Sequence, residues 1–332
     1  MAEKASAKMH PRSFARIPTI MTADEIIDSA FRRASRITVP AKDPFPRLKQ
    51  TEQARVRSVQ NGIASTLQTY VKRFPSFDQL PPFYRELIDL TLDLDRVRKS
   101  LGALDWAWKR VNEVGDEAIV AMKKGQHAEQ VLQPKQQAYG RISSLLHQVD
   151  GDLRFLDEVR QSLKKLPVIE MDVPTVVVAG YPNVGKSSLV RRVSTGTPEV
   201  AHYPFTTKGV VVGHFDHKHV RHQIIDTPGL LDRPLEERNP IELQALQALR
   251  HLADVIVFLV DPSEHCGYTL EAQLKLLEET RGAFPDAPLV VAESKADLKR
   301  AGVGEVSLST ETGEGVEALM ALAISRLKPR AR

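Results

Sequence analysis

At 332 residues, 42% hydrophobic and 27% charged, the chain has ordinary globular composition and room for about two domains that each bury a core. A single cysteine, Cys266, excludes an internal disulfide framework and fits a reducing, cytoplasmic setting, and no apolar run approaches the roughly 20 residues of a membrane-crossing helix. The net charge of +4 hides an asymmetry: residues 1–60 hold twelve Lys/Arg against six Asp/Glu, residues 61–165 sixteen against fourteen, and the remainder sums to −4. A basic half joined to an acidic half fits a first part that contacts a polyanion such as RNA, or a merely solvated basic face.

Thr22 with Glu25 three residues on is a capping box, which predicts a helix carrying Ile26, Ile27, Ala30 and Phe31. Pro40, Pro44 and Pro46 break the chain before a helix over about 48–73. Beyond "FPSFDQLPP", Tyr84, Leu87, Leu90, Leu92, Leu94 and Val97 recur at near-helical spacing, and further helices are predicted over 101–122 and 134–166. Residues 1–165 therefore read as an all-α helical bundle. From Val173 the pattern changes to short β-branched runs, "TVVVAG", "GVVVGHF", "HQIID", "DVIVFLV" and "LVVAES", alternating with helical segments such as 271–281. That alternation predicts an α/β domain, a mixed, mostly parallel sheet with helices on both faces. The two runs flanking Asp216, His217 and Lys218 are too close for a crossover helix and should pair antiparallel. The domain boundary falls near 165–174.

The segment "GYPNVGKSS" (Gly180, Tyr181, Pro182, Asn183, Val184, Gly185, Lys186, Ser187, Ser188) matches G-x-x-x-x-G-K-[ST] between a strand and a helical run. Its glycines let backbone N–H groups wrap phosphates, Lys186 reaches the β- and γ-phosphates, and Ser187 ligates Mg²⁺. Forty residues on, "DTPG" (Asp226, Thr227, Pro228, Gly229) offers a carboxylate for the Mg²⁺ shell and a backbone N–H for the γ-phosphate. Between them, "PFTTKG" supplies Phe205 and two hydroxyls, Thr206 and Thr207, either a switch element on Mg²⁺ or two β-favouring threonines leading into a strand. Lys186, Thr207 and Gly229 are the residues expected to act in catalysis. In "ESKAD", Asp297 can accept from both guanine N1–H and N2–H₂, Lys295 lies along the ring, and a backbone N–H near Thr310 meets O6; adenine fails both edge contacts. His214, His217, His219 and His222 straddle the hairpin and do not share one face, which argues against a zinc cluster. Cys266 has no partner thiol and reads as a packing residue.

Together "GYPNVGKSS", "YPFTTKG", "DTPGLLD" and "SKAD" resemble the Obg-related, translation-factor-class GTPases. "DPSEHCGYTLEAQLKLLEE", "LPPFYRELIDLTLDLDRVRKSLGAL" and "IPTIMTADEIIDSAFRRASR" are more specific and resemble the nucleolar GTP-binding protein 1 family, over nearly the whole chain. The resemblance implies a P-loop GTPase domain over 166–332 behind a helical domain over 1–165. It implies a GTP-dependent switch in large ribosomal subunit assembly, with precursor rRNA and ribosomal proteins as partners. The chain resembles a compact archaeal-type member and is expected to be a cytoplasmic monomer without a membrane partner. By the same resemblance the phosphate loop holds GTP or GDP, Ser187 and Thr207 hold Mg²⁺, and Ser294, Lys295, Asp297, Ser309, Thr310 and Glu311 hold the base. Asn183 is either a K⁺ ligand, as in related enzymes, or an ordinary turn residue.

Two departures stand out. Leu230 follows Gly229 where Ras-like enzymes place a water-orienting Gln, so intrinsic hydrolysis should be weak. Ser294 replaces the usual Asn, which predicts a looser grip on the same base, tightened by Ser294→Asn. An RNA-binding scaffold with a structural nucleotide is the alternative, while Asp297 disfavours an ATPase or small-molecule kinase.

Overall fold

A computed structural model describes residues 11–201, 203 and 209–327, so Phe205, Thr206 and Thr207 of the expected switch segment lie outside the described residues. The helices α1 (Ala23–Ser35), α2 (Pro44–Arg73), α3 (Pro82–Thr91), α4 (Leu94–Lys124), α5 (Ala128–Gln148) and α6 (Asp150–Lys165) come first. They are followed by β1 (Thr175–Ala179), α7 (Lys186–Val193), β2 (Glu199–Ala201), β3 (Val210–His217), β4 (Val220–Asp226), α8 (Pro240–Arg250) and β5 (Val255–Val260). Then come α9 (Leu270–Ala283), β6 (Leu289–Glu293), β7 (Val306–Ser307) and α10 (Val316–Ser325). The chain divides into two compact units that are not a single cut in sequence: one comprises Arg12–Ser76 and Leu92–Lys164, the other Phe77–Thr91 and the chain from Lys165 onward.

In the helical unit α1 starts where the capping box sets it, with Glu25 N–H donating to Thr22 Oγ1 at 3.4 Å and Thr22 N–H to the Glu25 carboxylate at 2.8 Å. Pro44 and Pro46 do not precede α2 but open it, because the first turn has no use for the missing N–H. The 134–166 stretch is two helices, since α5 begins before Pro134 and α6 starts anew at Asp150. The core lies where α2 packs on α4 and α5. Val56, Ile63 and Leu67 of α2 and Leu104, Ala107 and Val111 of α4 are all fully buried. A Cβ at Gly115 would come within 2.6 Å of the Gln60 amide, so glycine there lets the buried Gln60 reach Asn112 O at 3.0 Å and Asp116 Oδ1 at 3.1 Å.

The second unit holds a seven-stranded sheet in the order β2-β3-β4-β1-β5-β6-β7. β4, β1, β5, β6 and β7 run parallel, while β3 pairs antiparallel with both β2 and β4. The β3–β4 turn falls on Lys218 and His219, both left-handed (φ 48° and 64°), one step later than the sequence suggests. On that hairpin His222 stacks on Phe215, its cross-strand partner, at 5.2 Å. β1 and β5 are buried at every position, as strands covered on both faces require, with α7 on β3 and β4 and with α9 and α10 on β5.

By compactness the chain does not follow a single cut between 165 and 166. Helix α3, read from sequence as part of the bundle, packs on α8 of the sheet-bearing unit. Its Phe83, Tyr84, Leu87 and Ile88 are fully buried. The Tyr84 hydroxyl donates to Pro167 O at 2.8 Å and accepts from Ile169 N at 2.9 Å, and Glu86 meets His251 at 2.8 Å. The apolar periodicity from Tyr84 to Val97 spans two helices, because Asp93 caps α4 by accepting the Arg96 N–H at 2.9 Å.

Candidate nucleotide site

Parallel β1, β4, β6 and β7 deliver the loops after them to one edge of the sheet, where α/β proteins bind ligands. After β1 the backbone turns through Gly180 (φ 128°) and Gly185 (φ 103°), and a Cβ at Gly180 would sit 2.5 Å from Leu259 O. Asn183 is also left-handed, at φ 62°. Pro182, Asn183, Gly185, Lys186, Ser187 and Ser188 line a cavity of about 350 Å³ together with Asp226, Pro228 and Asp232. Lys186 is buried and donates to Gly180 O at 2.7 Å and Tyr181 O at 2.8 Å. Ser187 Oγ donates to Asp226 Oδ2 at 2.6 Å, so two oxygen ligands expected for a hard cation stand side by side. Val184 faces the core, and Tyr181 turns away to stack on Tyr268 with ring centroids 4.0 Å apart.

The loop after β4 is pinned to the phosphate loop, since Gly180 N–H donates to Leu231 O at 2.9 Å. Thr227 and Leu230 are buried; Leu230 N–H turns back to Thr227 O at 3.1 Å, and its side chain offers nothing polar to a water. Gly229 has φ 87°, and its N–H donates to Asp232 Oδ2 at 2.8 Å. Asp232 is a residue the sequence reading missed. Its only signal is its place, a carboxylate three residues past the loop glycine.

The base-side residues gather around the ends of β5 and β6. Ser294 is buried, and its hydroxyl and backbone N–H both donate to Val260 O, at 3.1 and 2.7 Å. Lys295, left-handed at φ 52°, places its ammonium 2.7 Å from Asp261 Oδ2. Asp297 is exposed, and Ala296 N–H binds Leu308 O at 3.0 Å, joining this loop to the one after β7. There Ser309 is buried, Thr310 and Glu311 carry carbonyls that accept from Arg192 of α7 at 3.0 and 3.4 Å, and a Cβ at Gly185 would lie 3.8 Å from Thr310 Oγ1. The structure thus brings the Thr310 loop against the phosphate loop. Asp297 does not line the phosphate cavity.

Two buried acids hold these loops, each the first residue of a stretch quoted above, "DPSEHCGY" and "ESKAD", and neither was given a role there. Asp261, fully buried at the end of β5, accepts from Ser263 N–H at 3.0 Å, Cys266 N–H at 2.9 Å and Lys295. Burial opposes its charge, but Lys295 and the donors outweigh it and hold the carboxyl below its ordinary range. Gln273 completes the loop, accepting from Asp261 N–H at 2.7 Å and donating to Tyr268 O at 2.9 Å. Glu293, fully buried at the end of β6, accepts from Val303 N–H at 2.7 Å, Ala301 N–H at 3.2 Å and Ser307 Oγ at 2.9 Å. Burial again works against ionisation, and the donors again win, leaving the carboxyl lowered. A charged residue closing an otherwise apolar strand was the available signal for both.

Residues 14–170 match the family described as the NOG1 N-terminal helical domain, and residues 240–297 match Nucleolar GTP-binding protein 1 (NOG1). An uncharacterised protein of Methanocaldococcus jannaschii is 40% identical over 289 residues, covering 86% of this chain and 81% of that protein. The nucleolar GTP-binding protein 1 of Saccharomyces cerevisiae is 36% identical over 287 residues, 86% of this chain but 44% of that protein, so the chain spans less than half of its length. Among solved structures, a Plasmodium falciparum protein described as nucleolar GTP-binding protein 1 is 37% identical, covering 48% of this chain and 89% of that one with a TM-score of 0.44.

Proposed function

Because the chain belongs to the nucleolar GTP-binding protein 1 family, we propose that it binds GTP and GDP with Mg²⁺, hydrolyses GTP, and uses the difference to change its hold on a large ribosomal subunit precursor. The observation that carries the reading is the cavity in which Lys186, Ser187 and Asp226 converge behind a glycine-shaped loop. The residues present fit the ion: Ser187 and Asp226 would hold Mg²⁺, and Thr207 would join them. Bound Mg²⁺ supplies charge neutralisation along the phosphates. The chain itself contributes the backbone N–H cradle of 180–188, the buried Lys186 ammonium and the Gly229 N–H.

Buried Leu230 supports slow intrinsic turnover, with water placement supplied by a partner. The exposed, left-handed Asn183 on the cavity wall supports a K⁺ ligand there; turnover equal in KCl and NaCl would remove that role. On the base side Asp297 selects guanine, and Ser294, Lys295, Ser309, Thr310 and Glu311 shape the pocket around it. The basic helical unit is the part we assign to rRNA and ribosomal proteins, in the cytoplasm and as a monomer. Leu230 also favours a second reading, an RNA-binding scaffold with a structural nucleotide. Phosphate release measured with and without ribosomal subunits separates them: the switch is stimulated several-fold, the scaffold is not. Pull-down with a GTP analogue that recovers no large-subunit precursor would overturn the assembly role.

A further inference from the structure

Asp232 lines the phosphate cavity and already occupies the Gly229 N–H, at 2.8 Å. A terminal phosphate that takes this N–H must displace the carboxylate, and the two anions repel each other. Six residues further on lies a group suited to receive it. The Arg238 side chain is more than nine-tenths buried; its Nη2 donates to Arg233 O at 2.6 Å, but its Nε and Nη1 have no hydrogen-bond partner among the described residues. A guanidinium buried with two unused donors is costly unless the fold offers it an anion in some state. Burial works against the Arg238 charge, and Asp232 is the foremost group acting to restore it.

We propose that Asp232 is a two-position carboxylate that reads the third phosphate: with a diphosphate it caps the Gly229 N–H, and with a triphosphate it yields that N–H and pairs with the Nε and Nη1 donors of Arg238. This rests on the guanine-nucleotide reading above and extends it by naming how the segment after β4 distinguishes the two nucleotides. The pairing adds affinity only in the triphosphate state, so Arg238 sets nucleotide preference without touching the nucleotide.

The test is a double-mutant cycle on the full chain with Mg²⁺, using calorimetry with GDP and with a non-hydrolysable GTP analogue. Arg238→Met should weaken the analogue roughly fivefold while leaving GDP within about twofold, and on an Asp232→Ala background the same substitution should change the ratio by less than about twofold. Arg238→Lys, which keeps a cation, should retain most of the selectivity and guards against a loss caused by misfolding. An Arg238→Met effect that is equal on both nucleotides, or undiminished without Asp232, reduces Asp232 to a turn cap and overturns the inference. Failure of the unaltered chain to bind either nucleotide would instead overturn the guanine-nucleotide reading itself.

Discussion

The phosphate side and the base side of the candidate site are built by different means. The phosphate side is backbone: glycines at φ 128°, 103° and 87° adopt a conformation other residues rarely take, and at Gly180 a Cβ would also meet Leu259 O at 2.5 Å. The base side is held by buried carboxylates, Asp261 and Glu293, which gather loop N–H groups that would otherwise lack partners. The first construction depends on glycine's backbone freedom; the second tolerates substitution at the surface but not loss of an acid from beneath it.

Breaking the backbone side should have the largest effect. Gly180→Ala adds left-handed strain and a 2.5 Å approach to Leu259 O, so a loss of at least about 2 kcal/mol in urea unfolding, together with loss of detectable GDP binding, is expected. Asp261→Asn removes the charge paired with Lys295 and one of the two oxygens that accept from Ser263 and Cys266; a cost of about 3 kcal/mol should accompany a weaker grip on guanine at unchanged triphosphate-to-diphosphate preference. A shift in that preference instead would show that the two sides are not separable.

Glu293→Gln should cost about 1–3 kcal/mol and also flatten the acid limb of the stability profile. Glu293 and Asp261 ionise more readily folded than unfolded. Their contribution is therefore complete above the ordinary carboxylate range and drains away as the pH falls through that range and below it. Melting temperature followed over that range should fall less steeply in Glu293→Gln. Ser294→Ala, which removes one hydroxyl from Val260 O, should cost only about 1 kcal/mol, and Ser294→Asn remains the calorimetric check on whether this position limits affinity.

What was legible in the sequence follows the same division. The phosphate loop and the Thr22 capping box depend on residues within a few positions of one another, so pattern and geometry coincide, whereas Asp226 was legible only through its own D-x-x-G, since it meets Ser187 across 39 residues. The base loop was legible as a motif but its supports were not, because Asp261 to Lys295 spans 34 residues and Glu293 to Val303 ten. The place of α3 was hidden for a similar reason. Its apolar face reads the same whatever covers it, and what assigns it to the sheet-bearing unit is distant in sequence: packing on α8, Glu86 meeting His251, and Tyr84 reaching Pro167 and Ile169 more than 80 residues away. Asp232 was invisible because a carboxylate in a polar turn carries no periodic signal, and Pro44 and Pro46 misled because a helix start and a helix break use the same residue.

The central claim is that the cavity behind 180–188 receives a guanine nucleotide. Titrating the full chain with GDP and with ADP in the presence of Mg²⁺, and repeating both with Asp297→Ala, tests it most directly. GDP should bind at least about thirtyfold more tightly than ADP, and Asp297→Ala should erase most of that ratio, because the N1–H and N2–H₂ contacts to this carboxylate, worth about 1–3 kcal/mol each, are lost. Equal binding of the two nucleotides, or a ratio indifferent to Asp297, would contradict it.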